Sequence, residues 1–273
     1  MTCCKDDDYI LGYRHAELDR LQRQSAQLSD DSARLFDAIG IGDGARVLEI
    51  GCGPTGCLEM LSTRVGESGR VVGIEINAES VARAQAFVTR RGLSNVEVKA
   101  ADARATGLPR HTFDFVVSRL VLVNIPRPEQ VIAEAISLAR PGGVVGFHEV
   151  DGAGLMCDPP SQAWSDLVEM FKVATETNGN DWHFGRRLPG LLRQSGVTDI
   201  EVNPIMRVYA AENPRRSLLV DFVDNFRDRV LAVGRATEND LQHLKQALLQ
   251  HVQNPDTIVF DGLYVQAWGR TPV

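Results

Sequence analysis

Three glycines, Gly51, Gly53 and Gly56, stand in the stretch VLEIGCGPTG at 47–56 with the spacing G-x-G-x-x-G. Glu75 follows at the end of the next apolar run, RVVGIEI. Glycines so spaced let a backbone approach a ligand closely where a strand turns into a helix. A carboxylate about 20 residues further on can accept hydrogen bonds from both hydroxyls of a ribose. The pattern points to a cofactor that carries a nucleoside, and by itself it does not say which one.

Three features lead away from a nicotinamide dinucleotide. Glu49 lies two residues before Gly51 in a run otherwise made of Val47, Leu48 and Ile50. A carboxylate buried there is costly unless it is paired or hydrogen-bonded. It would repel a pyrophosphate, and it suits a ligand with an ammonium group and a sulfonium. Asp102 follows a third apolar run, where it can accept from an adenine amino group. Phe113-Asp114 then opens a fourth run, and LARPGG at 138–143 precedes a fifth.

These residues need elements to hold them, and the periodicity supplies an alternation. Leu18, Leu21, Leu28, Leu35 and Ile39 predict one or two helices over 14–40. Strands are expected at Arg46–Ile50, Arg70–Ile76, Asn95–Ala100, Phe113–Val123 and Val144–Val150. The fourth is nearly continuous in apolar residues, as a parallel strand covered on both faces should be. Leu58, Leu61 and Val65 mark one intervening helix. Val81, Ala84 and Val88 mark another, with Asn77 as N-cap and Gly92 at its C′ position. Strands alternating with helices predict an α/β fold with a doubly wound, mostly parallel sheet.

Beyond residue 151 the rhythm loosens. Helices are expected around Trp164, Leu167 and Phe171 and around Leu188, Leu191 and Leu192. Thr198–Val208 reads as a sixth strand and Thr257–Gly269 as a last strand or hairpin. Between them lie two amphipathic helices, one carrying Leu219, Phe222, Val223, Phe226 and Val230. The other opens with a capping box at Thr237 and Asp240. The pair either lids a site or thickens one face of the sheet. The expected division is an N-terminal helical cap at 1–45, a cofactor-binding core at 46–151, and a remainder at 152–273. Helical insertions of that remainder, at about 152–195 and 213–253, would form a substrate cap.

The length of 273 residues suits one α/β domain with insertions, and 44% hydrophobic with 24% charged residues is an ordinary globular composition. A net charge of −7 leaves no broad basic footprint for nucleic acid. Val123-Asn124-Ile125-Pro126 stands where a nucleic-acid-modifying Asn-Pro-Pro-Tyr motif would. No apolar run reaches membrane-span length, and MTCCKDDDYI lacks the apolar core of a signal peptide, so a cytoplasmic location is expected. Five cysteines at these spacings suggest neither a disulfide framework nor a zinc site.

VLEIGCGPTG, VVGIEIN, AADA, FDFVVSRLVLVNI and LARPGG, in that order, resemble the successive motifs of class I S-adenosylmethionine-dependent methyltransferases. The resemblance covers residues 46–150 and implies a seven-stranded Rossmann-like sheet and S-adenosylmethionine as cofactor. It implies that Gly51 and Gly53 line the methionine moiety, that Glu75 holds the ribose and that Ile76 packs on the adenine. Asp102 with Ala103 would read the adenine edge, and Ser118 would lie near the sulfonium. Thr55 departs from the pattern where many members carry a third glycine. YILGYRHAELDRLQRQ at 9–24 and DWHFGRRLPGLLRQSGVTDIEV at 181–202 are similar to a subgroup of small-molecule methyltransferases, many in specialised metabolism. There the N-terminal helices fold over the cofactor, which makes Tyr13 and Gln24 candidate contacts. A small-molecule methyl acceptor, with no nucleic-acid or membrane partner, is the matching expectation, and a homo-oligomer is left open.

Methyl transfer from a sulfonium is an in-line displacement, so holding nucleophile and methyl in line and excluding water can supply much of the catalysis. A general base is needed only if the acceptor must lose a proton early. Glu149 and His183 are the candidates. The first stands at a strand's carboxyl end, and the second lies between Trp182 and Phe184. His148-Glu149 begins like a zinc-binding HExxH, but position 152 is glycine, which rejects the metal. His148 itself reads as a core histidine. A nicotinamide-dependent oxidoreductase using the same turn, and a non-catalytic cofactor-binding protein, remain as alternative readings.

Overall fold

The computed structural model describes residues 15–273. Cys3, Cys4 and Tyr13 lie outside them. Two helices come first, α1 (His15–Gln27) and α2 (Ser29–Ile39). Five strands follow: β1 (Arg46–Ile50), β2 (Arg70–Glu75), β3 (Val96–Ala100), β4 (Phe113–Arg119) and β5 (Ala139–Asp151). Helices α3 (Leu58–Val65), α4 (Ala78–Arg91) and α5 (Pro128–Leu138) connect them, with an irregular segment between β3 and β4. Asn77 caps α4 by accepting from the Ser80 N–H at 2.9 Å, and Gly92 ends it in the left-handed conformation.

The seven-stranded sheet has the order β3-β2-β1-β4-β5-β10-β7, with β7 at Thr198–Ile205 and β10 at Leu263–Arg270. β1 to β5 are parallel and β10 runs antiparallel to both its neighbours. Strand order reverses between β1 and β4, which opens a crevice at their carboxyl ends. Side-chain alternation supplies a core on each face. Val47, Val71 and Val117 pack under α2, α3 and α4 through Phe36, Leu58 and Val81. On the other face Leu48, Ile50, Val116 and Phe147 pack under α5 and α7 (Phe184–Gln194) through Val131, Ile132, Leu188 and Leu192. Each such fully buried aliphatic side chain contributes about 1.5–3 kcal/mol relative to leaving it exposed.

A third cluster stands apart from the sheet. α6 (Gln162–Thr177), α8 (Leu218–Val233) and α9 (Glu238–Gln253) pack through Phe171, Leu219, Phe226 and Leu248. They join a three-stranded antiparallel sheet of β6 (Met156–Asp158), β9 (Ile258–Phe260) and β8 (Val208–Tyr209). The capping box of α9 forms as the sequence implies, Thr237 and Asp240 bonding reciprocally. The two late helices thus build a core of their own with α6, rather than a second layer on the main sheet.

Four of the expected strands differ by more than one residue, the fifth beginning at Ala139 rather than Val144 so that Pro141-Gly142-Gly143 lies inside it. The fourth strand ends at Arg119, and Leu120 takes a left-handed φ of 56° before a single 3₁₀ turn at Leu122–Asn124. Thr198–Val208 divides between β7 and β8, and Thr257–Gly269 between β9 and β10. In both cases the two pieces belong to different sheets.

Candidate active site

A cavity of about 220 Å³ occupies the crevice at the carboxyl ends of β1, β2, β4 and β5. α1 roofs it with Arg20, Leu21, Gln24 and Ser25, and α8 with Leu218, Phe222 and Phe226. The two roofs hold each other. Asn225 donates to Glu17 Oε2 at 2.7 Å, and the Arg20 guanidinium lies 5.4 Å from the Phe222 ring centroid.

The glycine turn forms one wall. Gly51, with φ of 67°, lies so close to Val121 that a Cβ would come within 2.3 Å of its Cγ2. Gly53, also left-handed at φ 56°, has nothing within 4 Å of where its Cβ would be, so its backbone faces open space. Beneath Gly56 lies the buried Glu49 carboxylate, which accepts the Cys57 N–H at 2.8 and 3.0 Å. Burial pushes the Glu49 carboxyl up to about 7, against the opposing pull of Arg119 and of that N–H. Glu49 therefore braces the turn as well as lining the cavity.

Glu75 ties the turn to the next strand. Its Oε2 accepts from Gly53 N–H at 3.0 Å, and its Oε1 from Ile76 and Asn77 N–H at 2.8 and 3.0 Å. Burial raises its pKa against these three donors. A carboxylate offers about four acceptor positions, so one remains for a ligand hydroxyl. Ile76 lies on the cavity wall 37% exposed, a large apolar side chain left uncovered. Ala103 and Asp102 complete this end. Asp102 accepts the Arg104 N–H at 2.9 Å and its guanidinium at 3.0 and 3.1 Å, so a ligand there meets an ion pair rather than a lone carboxylate.

Gln24 lies on the cavity wall, whereas Ser118 does not. Alternation turns the Ser118 side chain toward the α5 face beside Phe147, where it is buried. Its neighbour Arg119 faces the cavity on the same side of the sheet as Glu49. There the guanidinium donates to Ser32 Oγ at 2.8 Å and Ser25 Oγ at 3.0 Å. Ser25 in turn donates to the Gly56 carbonyl at 2.6 Å, linking α1, β4 and the glycine turn. Sequence reasoning missed Arg119, though its period-2 relation to Val117 was the available signal.

Glu149 is fully buried and does not line the cavity. Its oxygens accept three successive N–H groups, Val121 at 3.1 Å, Leu122 at 3.0 Å and Val123 at 3.1 Å. Burial pushes its carboxyl up to about 8, with those N–H groups pulling the other way. The geometry replaces a catalytic role with a positioning one: Glu149 gathers the segment after β4, whose Leu120, Val121 and Asn124 line the cavity. His183 also lies off the cavity. Its Nδ1 is 3.2 Å from Asp151 Oδ1, and Arg186 holds the same carboxylate. Burial works against the Asp151 charge, yet Arg186, the Ala153 N–H and His183 keep its carboxyl below the ordinary value. The neighbour Trp182 is the residue that reaches the cavity. His148 is buried edge-on to Tyr264 with ring centroids 5.4 Å apart. Burial and the nearby Arg119 hold its pKa down to about 3, so it is a neutral core residue.

The far end of the cavity lies past β4, away from Glu75. Val150, Gly152, Leu155 and Trp182 form one side and Phe222 and Phe226 the other. At its base Asp261 Oδ2 accepts from Tyr209 Oη at 2.9 Å, Arg215 Nη2 at 2.7 Å and Tyr264 Oη at 3.2 Å. Among the described residues no His, Cys, Asp and Glu group could hold a metal ion, and no helix is long and apolar enough to cross a membrane.

The profile of a methyltransferase-domain family matches residues 41–187. An uncharacterized protein in a transposon of Streptomyces fradiae is 32% identical over 192 residues, 70% of this chain and 54% of that protein. Aklanonic acid methyltransferase of Streptomyces sp. (strain C5) is 29% identical over 142 residues, 46% of this chain and 64% of that enzyme. The chain thus spans between about half and two thirds of the length of these relatives. Among solved structures, a putative methyltransferase from Bacillus halodurans superposes with a TM-score of 0.59 at 17% identity, covering 89% of this chain and 100% of that one. Haemonchus contortus phosphoethanolamine N-methyltransferase 2, solved with S-adenosylhomocysteine, gives 0.58 at 18% identity over 89% of this chain and 53% of that one. These likenesses establish the fold, and the profile over residues 41–187 establishes the family: the chain belongs to the methyltransferase domains of the class I, S-adenosylmethionine-dependent type.

Proposed function

We propose that this chain transfers a methyl group from S-adenosylmethionine to a small-molecule acceptor held in the same cavity. The observation that carries the reading is the continuity of that cavity, from Ile76 and Asp102, past Gly53 and Glu75, to the aromatic walls under α8. When bound, the cofactor supplies an electrophilic methyl on a sulfonium. In the displacement, an acceptor lone pair forms the new bond to carbon, the sulfur–carbon bond breaks with its electron pair left on sulfur, and an O–H or N–H acceptor then gives up its proton to water as the product leaves.

The residues fit such a cofactor. Uncovered Ile76 with Ala103 offers an apolar seat for adenine, and Glu75 has an acceptor position left for ribose. Gly53 leaves room for a methionine chain beside Gln24, and Gly51 lets Val121 pack against the turn. Glu49 provides a carboxylate for an ammonium and Arg119 a guanidinium for a carboxylate. Glu149, fully buried and off the cavity wall, serves no proton transfer to the acceptor. The chain's contribution is orientation and exclusion of water beneath α1 and α8.

Calorimetry on the full chain tests this. S-adenosylhomocysteine binds at micromolar concentration, and reduced nicotinamide dinucleotides do not. Binding of the dinucleotide alone would put the oxidoreductase reading in its place. An Arg119→Met variant binds the homocysteine product at least tenfold more weakly, while adenosine binding is unchanged.

A further inference from the structure

Resting on that reading, we propose that the acceptor is a flat, uncharged aromatic compound bearing a hydroxyl or N–H donor. The acceptor must lie past β4, because the glycine turn, Glu75 and Ile76 line the opposite end. Here the walls are rings. Phe222 and Phe226, with centroids 6.0 Å apart, face the crevice from α8, and Phe171 backs Phe226 at 4.8 Å. Trp182 closes from the other side, and it can do so because residue 152 is glycine: a Cβ there would come within 2.1 Å of the indole. Rings packed in this way favour a planar guest, through offset or edge contacts that add to area burial.

Charge at this end is paired within the protein: Arg20, over the Phe222 ring, holds Glu17 at 2.6 Å. Asp261 and Arg215 are both buried and paired at 2.7 Å, so neither an ammonium nor a carboxylate finds a free partner in them. Among the polar residues lining the cavity, Tyr264 keeps an open position. Tyr264 Oη accepts from Arg215 at 2.7 Å and donates to Asp261 at 3.2 Å. A hydroxyl has one donor and two lone pairs, so this oxygen retains one acceptor site. It lies on β10 opposite Val150, beside the aromatic walls. An acceptor that donates a hydrogen bond there is oriented, whereas a bare carbonyl or ether is not.

The test titrates the full chain, saturated with S-adenosylhomocysteine, with 2-naphthol, following naphthol fluorescence and calorimetric heat. Comparators are 1-octanol, 2-naphthoate and phosphocholine. The expected result is that 2-naphthol binds at least tenfold more tightly than any of them. Tyr264→Phe weakens 2-naphthol at least fivefold without affecting 2-methoxynaphthalene, and Phe222→Leu weakens both naphthalenes. Tighter binding of octanol, naphthoate or phosphocholine overturns the inference, as does naphthol affinity unchanged in both variants. If S-adenosylhomocysteine itself does not bind, the methyltransferase reading fails. If it binds and naphthol does not, only the acceptor inference fails. Each variant is checked for unchanged S-adenosylhomocysteine affinity, which separates a local effect from unfolding.

Discussion

The Glu75 carboxylate accepts the Gly53 N–H at 3.0 Å, a contact across 22 residues that locks the glycine turn of β1 to the end of β2. One residue thereby shapes the turn and presents the remaining acceptor position to the ligand. Glu75→Gln keeps the shape and turns an amide donor toward one of the three N–H groups. S-adenosylhomocysteine affinity is expected to fall ten- to a hundredfold, about 1.4–2.8 kcal/mol, while the far-ultraviolet spectrum is unchanged. An affinity within threefold of wild type contradicts the role assigned to Glu75.

Glu49 makes binding depend on pH. Its carboxyl titrates near 7 because burial disfavours the charge. An ammonium placed beside it favours the ionised form, so binding below pH 7 releases a proton and affinity rises as pH increases through 7. Between pH 6 and 8 the gain approaches about tenfold for each unit below the pKa. Titrations at pH 6 in two buffers of different ionisation enthalpy report the proton released, and at pH 8.5 the release is near zero. Glu49→Gln abolishes the difference; retention of the proton release in that variant assigns it to another group.

Glu149 marks the unliganded protein's stability in the same way, with a wider window. Its folded pKa, near 8, lies above its unfolded value near 4.5, so the folded state holds the proton more tightly. The contribution is full below about pH 4.5 and is lost as pH rises toward 8. Melting temperatures of the wild type should decline across pH 5–8 more steeply than those of Glu149→Gln. The variant also gives up one of three buried hydrogen bonds, a cost of about 1–3 kcal/mol, and loosens the segment at Val121–Val123. Parallel slopes for the two proteins would remove Glu149 from this account.

Which parts could be read in advance follows from how local their causes are. The glycine turn, the acidic end of β2, the Asn77 cap and the Gly92 stop are each set within a few residues, and they stand where the sequence places them. The end of β4 is not local. Leu120–Val123 continues an apolar run, and Glu149, 26 to 28 residues away, draws the Val121, Leu122 and Val123 N–H groups out of the sheet. Ser118 and Arg119 differ by a single step of strand alternation, enough to send one to a buried face and the other to the cavity. The cluster of Asp261, Tyr264 and Arg215 joins positions 46 and 49 residues apart, and β8 and β9 pair across a similar gap. No periodicity within either segment announces such pairings.

Hydrogen–deuterium exchange with and without S-adenosylhomocysteine tests most directly whether this cavity is the cofactor site. The account predicts slowed exchange in peptides covering 49–57, 74–77 and 101–104, and in α1 around Gln24 and Ser25. Slowed exchange confined to other segments, or none at saturating ligand, would contradict it.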